Sequence, residues 1–153
     1  MGRERPVLFA FLLVLLVSFH FALRPLWVSW PVAPDLLVCT LLLAARSLRV
    51  GVAAGLGFVL GLLEDAVAIT NFGVGSLVFT VVGALGSWSR DVFLGDEPLF
   101  IAVYLFVGKW GVDVSVMMLT GAVSWRAIAL APASALVTAA IGWLVAWAAH
   151  APR

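Results

Sequence analysis

From residue 7 to residue 23 the chain reads VLFAFLLVLLVSFHFAL, 17 positions without an Asp, Glu, Lys or Arg. Further apolar runs follow, separated by short polar breaks. A helix needs about 20 predominantly apolar residues to cross the hydrocarbon core of a bilayer. Runs of this kind exclude an ordinary soluble fold. Composition agrees: the chain is 64% hydrophobic and 11% charged, with mean hydropathy +1.16. Soluble domains average roughly 45–50% apolar and about 25% charged residues. Too little polar surface exists to cover the chain in water, so lipid must be its solvent. With 153 residues, about six spans consume nearly everything, leaving one polytopic domain over residues 1–153 and no soluble domain. Any activity must lie inside the bundle, at its short loops or on its lipid-facing surface.

Net charge is +1 and the basic residues are scattered, which gives no sign of a nucleic-acid partner or a polybasic lipid switch. The single cysteine, Cys39, offers no disulfide framework and no Cys-x-x-Cys spacing. The start, MGRERPVLFAFLLVLLV, imitates a signal peptide, but no small-x-small cleavage site follows. It reads as a retained first helix.

The first helix is expected over 7–23, ending at Arg24-Pro25. The segment PLWVSWPVAPD follows, and its Trp27 and Trp30 suit the membrane–water interface. A second helix starts at Pro34-Asp35, where proline fits the first turn and a carboxylate meets the positive end of the dipole. Its apolar part ends at Ala45, before Arg46 and Arg49. That is short for a crossing, so either it is buried in protein or the preceding irregular stretch dips into the membrane region. Further helices are expected over 50–69, 73–88, 98–121 and 127–149, with Pro132 trimming the start of the last. The short link around Asn71 makes the third and fourth antiparallel neighbours. With six spans, Arg3, Arg5, Arg46, Arg49, Arg90 and Arg153 share one side, against Arg24 and Arg126 on the other. This bias puts both termini in the cytoplasm.

Two small-residue pairs, Gly51/Gly55 and Gly57/Gly61, lie on the third helix, about 120° apart around it. Glycines four apart admit a neighbouring backbone. The expectation is a central third helix with close neighbours on two sides, although glycine is also simply common in membrane helices. Glu64 and Asp65 flank the Gly57/Gly61 face and should look into the bundle. On the fifth helix, Lys109 and Asp113 share a face. At about 1.5 Å per residue, Glu64 lies roughly 21 Å beyond Val50, and Lys109 and Asp113 roughly 16 and 22 Å beyond Pro98. One level then holds all four, and Lys109 becomes the expected partner of Glu64 or Asp65. A central charge costs about 2.5–3.5 kcal/mol on insertion scales, so pairing is expected. Three carboxylates against one ammonium leave an imbalance, which a protonated carboxyl, interfacial water or a cation from another chain would resolve. The alternatives for Glu64 and Asp65 are a wetted helix end and a transported-ligand site.

Catalytic and metal patterns are absent from the sequence. His20 and His150 make no ligand cluster, which predicts no metal and no cofactor. The stretch GVGSL offers Ser76, but a nucleophile needs a base and an orienting group, and nothing local supplies them. No phosphate-binding glycine loop is present. The expectation is a protein that is not an enzyme.

The stretch 34–93 resembles the rod shape-determining membrane protein MreD family. The residues that carry this are Pro34-Asp35 before a leucine-rich run, the basic turn Arg46-Ser47-Leu48-Arg49, then GFVLGLLED, a short turn, GVGSLVFTVVGALG and Arg90. Asp65 matches the family pattern. Glu64 stands where the family often has an amide, and Lys109 and Asp113 match no family motif. The resemblance implies a non-enzymatic inner-membrane part of the bacterial cell-elongation machinery, working with MreC and the filament protein MreB. It further implies association with the RodA glycosyltransferase and its partner transpeptidase in peptidoglycan synthesis. The loop with Arg90, Asp91, Asp96 and Glu97 is a candidate contact for cytoplasmic partners. The architecture also resembles the small substrate-binding subunits of energy-coupling-factor vitamin transporters. That rival predicts a ligand pocket among outer-side residues such as Trp27, Ser29, Trp30, Asn71 and Trp125.

Overall fold

A computed structural model describes residues 6–27, 32–67, 71–91 and 98–150. Among these there are six α-helices, a 3-10 turn at Ser89–Asp91 and no strand. The helices are α1 (Pro6–Trp27), α2 (Leu36–Ala45), α3 (Val50–Val67), α4 (Val74–Trp88), α5 (Pro98–Thr120) and α6 (Trp125–His150). Three of them, α3, α5 and α6, are long and apolar enough to cross a membrane. The stretch Ala10–Leu26 within α1 is apolar but shorter, as are α2 and α4.

The centre is α2. Its sequence, LLVCTLLLAA, is apolar on every side, which suits only a helix enclosed all round. All of its residues are buried. It packs against each of the other five helices. Ten residues span about 15 Å, half of a hydrocarbon core, so enclosure by protein resolves the question its shortness raises. The backbone just before it is also satisfied at Ala33 and Asp35. Ser134 Oγ on α6 donates to the Ala33 carbonyl at 2.9 Å, and the Asp35 amide donates to Thr138 Oγ1 at 3.0 Å. Non-helical backbone survives at membrane depth only with such partners.

Around α2 the remaining helices form a ring in which α3 meets α4, α4 meets α5, α5 meets α6 and α6 meets α1. The third helix is therefore part of the ring and not its centre, a correction to the glycine argument. Among the described residues only one of its two glycine faces has a neighbour. A Cβ on Gly57 would strike the Phe79 carbonyl oxygen, and one on Gly61 would lie 2.5 Å from the Gly75 carbonyl oxygen. Ala53 continues this seam, its carbonyl lying against Gly83. The contacts step backward along α4 as they step forward along α3, so the two helices are antiparallel with their backbones nearly touching. Gly51 and Gly55 face outward, with nothing within 4 Å of an added Cβ.

Helix ends depart from expectation by a few residues. Pro25 lies inside α1, which runs on to Trp27. Pro25 has no N–H to donate to the Phe21 carbonyl, so the last turn loses one bond, and the extension keeps Arg24 on the helix. Asp35 is the N-cap of α2, so Pro34 stands just before it. The α3–α4 link closes with Asn71 and Gly73 at positive φ, 63° and 97°, as tight turns require. Pro132 sits within α6, which begins at Trp125.

Candidate functional site

Most of the buried charge gathers at one end of the bundle, in three units. The first joins α2 to α5. Lys109 Nζ on α5 lies 3.1 Å from Asp35 Oδ2 and 2.5 Å from Asp113 Oδ1. Asp35 Oδ1 meanwhile accepts from the Val38 amide at 3.1 Å, so one carboxylate both caps α2 and pairs with the lysine. The ammonium is buried. Removing one member of such a group strands the others without water, which is why these residues act as a unit.

The second unit joins α3 to α1. Glu64 Oε2 accepts from Arg24 Nη1 at 3.0 Å and lies 3.2 Å from His20 Nε2. Arg24 and Glu64 keep about a quarter of their side-chain surface accessible. This pair is weaker per contact than the buried one.

The third unit has no cation among the described residues. Asp65 accepts from the amides of Gly73 (3.1 Å), Gly75 (2.9 Å) and Ser76 (2.8 Å) and from Ser76 Oγ (2.6 Å). These amides are the unpaired donors at the start of α4, where a helix carries its positive end. Gly75 is required here, because a Cβ would lie 2.5 Å from Asp65 Oδ1.

The expected pairing of Lys109 with Glu64 or Asp65 is thus replaced by three separate solutions. Glu64 goes to Arg24, Asp65 goes to the α4 amides, and Lys109 goes to Asp35 and Asp113. A shared level does hold, for Asp35, Glu64, Asp65 and Asp113 all line one half-open cleft of about 320 Å³, with Asn71 at its edge. Asp35, expected only as a helix start, is the lysine's partner. Eleven residues separate Asp35 from Arg46, about 16 Å of helix, which matches the depth of Lys109 beyond Pro98. That count would have found it.

The remaining singled-out residues are placed as follows. Ser76 and His20 are not brought together, since Ser76 serves Asp65 and His20 serves Glu64. Arg90 Nη1 donates to the Leu48 carbonyl at 3.2 Å, tying the end of α4 to the α2–α3 turn. Asp96, Glu97, Trp30, Ser29, Arg3, Arg5 and Arg153 lie outside the described residues, as do the side chains of Trp27 and Asp91. Among the described residues no group of His, Cys, Asp and Glu is arranged to hold a metal ion.

Fold and site together define an all-helical membrane protein whose bundle is fastened internally by buried charge. The family model described as rod shape-determining protein MreD matches residues 3–149. The chain belongs to that family, whose role is in rod shape determination. Comparison with curated proteins and with solved structures gives no match.

Proposed function

We propose that this protein is a non-enzymatic, multi-pass component of the bacterial inner membrane that scaffolds the cell-elongation machinery. In this reading both termini are cytoplasmic, as the arginine bias requires. MreC and MreB are its partners in this reading, and RodA and its partner transpeptidase are associated with it. The observation that carries the reading is where the polar chemistry goes. Lys109, Asp35, Asp113 and Asp65 are spent on fastening helices to one another. The outer faces of the ring remain apolar, with Phe58, Val59 and Leu62 of α3 and Val103 and Val107 of α5 exposed. A rigid interior with apolar outer faces suits docking of partner helices. The loop with Arg90, Asp91, Asp96 and Glu97 is the proposed contact for cytoplasmic partners. Depletion in the native cell tests the role. Loss of rod shape, restored by the wild-type chain and not by Lys109→Met, is the expected result. Rods that persist without the protein would defeat it.

A second reading has the cleft in its favour. A half-open space of about 320 Å³ with four carboxylates and apolar walls would admit a small molecule. The vitamin-binding alternative then requires a small molecule retained through purification, and a ligand-free preparation removes it.

A further inference from the structure

Among the described side chains, three arginines gather at the end of the bundle opposite the acidic cleft. Arg46 is the C-cap of α2, Arg49 stands just before α3, and Arg90 reaches the carbonyl of Leu48 between them. Among the described side chains, the carboxylates of Asp35, Glu64, Asp65 and Asp113 all line the far cleft. Asp65 lies about 22 Å along α3 from Val50, beyond the reach of a direct ion pair with this end. Trp88, at the end of α4 beside Arg90, is 73% exposed, as expected of a side chain at headgroup level.

Arg46 carries the unusual feature. Its guanidinium stands over the ring of Tyr104, 6.0 Å from the centroid. Its Nη1 is buried and has no hydrogen-bond partner among the described residues. A buried charged donor left unpaired is costly, and guanidinium binds best to an acceptor that offers two oxygens in a plane. The Tyr104 hydroxyl donates to the Leu42 carbonyl at 3.1 Å, which fixes the ring beneath the guanidinium.

We infer that Arg46, with Arg49 beside it, binds the phosphate of an anionic lipid headgroup. Basic side chains at the ends of membrane helices bind such headgroups, and these arginines stand where helix ends meet the interface. Arg46 supplies the directed hydrogen bonds from a position fixed by Tyr104. Arg49, which is exposed, supplies field. The inference is independent of the scaffold reading, since it needs only a bundle that sits in a membrane.

Native mass spectrometry of the purified full chain in mild detergent tests it, with phosphatidylglycerol and phosphatidylcholine added in equal amounts. The wild type should retain phosphatidylglycerol preferentially. Arg46→Gln should lower that preference about tenfold, the loss expected for a charge-assisted bond. Arg49→Gln should lower it no more than about fivefold, the effect of a nearby exposed charge. Arg46→Lys keeps the charge and loses the fork, so it should fall between. If Arg46→Gln does not fold, Arg46→Lys and Arg49→Gln carry the comparison, with detergent melting temperature as the control. Equal retention of both lipids by the wild type would overturn the inference, as would equal effects at Arg46 and Arg49. Displacement of the lipid by an equal concentration of inorganic phosphate would reassign the site to a free anion. Loss of a bound protein on Arg46→Gln, with lipid preference unchanged, would reassign the guanidinium to a partner's carboxylate.

Discussion

Replacing Asp65 should separate α3 from the start of α4. Its carboxylate accepts four hydrogen bonds, three from backbone amides and one from Ser76 Oγ. The amides lack helical partners, and alanine would leave them facing a carbon. Hydrogen bonds inside membrane proteins average about 0.6 kcal/mol net, with about 1.7 at the upper end. Four bonds to one carboxylate therefore bracket a loss of about 2.4 to 7 kcal/mol. The cleft is half-open, so water can replace part of the carboxylate, which favours the lower end. We expect Asp65→Ala to cost about 3 kcal/mol, and Asp65→Asn about 2 kcal/mol because one acceptor oxygen remains. Equilibrium unfolding in mixed detergent micelles reads the total. Amide hydrogen exchange reads the location, with Gly73, Gly75 and Ser76 losing protection while α6 keeps it. A change below about 0.5 kcal/mol, the level of an ordinary surface substitution, would refute the capping argument. So would loss of protection spread evenly over the bundle.

Lys109→Met should destabilise by about 3–5 kcal/mol in the same unfolding assay, because Asp35 and Asp113 are left as buried carboxylates without a cation. Adding Asp35→Asn and Asp113→Asn to it should recover most of that loss. Gly57→Ala should cost about 1–3 kcal/mol through its clash with the Phe79 carbonyl. Gly55→Ala, in open space, should change stability by less than about 0.5 kcal/mol. Glu64→Gln should cost no more than about 1 kcal/mol, as a partly exposed pair implies, and should raise hydrogen exchange at the Arg24 end of α1 above that of α2.

Much of the architecture was legible because lipid leaves few options. Six apolar segments, the short α3–α4 link and the shortness of α2 all follow from helix length against bilayer thickness. The seam on α3 was half legible. Gly51/Gly55 and Gly57/Gly61 look alike in sequence, and only the position of α4 distinguishes the face that is covered from the face that is open. The charges were harder. Glu64, Asp65, Lys109 and Asp113 were identified as costly and set at one level, but pairing depends on which helices are adjacent. A carboxylate can also be satisfied without a cation, as Asp65 is by the turn at Asn71 and Gly73. Nothing in a residue count distinguishes these solutions. Arg24 and His20 became visible as partners only once α1 extended past Pro25. Orphaned Arg46 Nη1 depends on the orientation of one side chain over Tyr104, which no periodicity encodes.

Copurification from native membranes tests most directly the proposal that this bundle holds elongation proteins together. The protein would be captured after mild solubilisation, with both proteins and small molecules identified. The account predicts recovery of MreC, with the elongation synthases alongside and no bound metabolite. It also predicts loss of MreC when the loop carrying Arg90, Asp91, Asp96 and Glu97 is altered. Recovery of an ATPase module or a tightly bound vitamin-like molecule, without MreC, would contradict it and make the acidic cleft a ligand site.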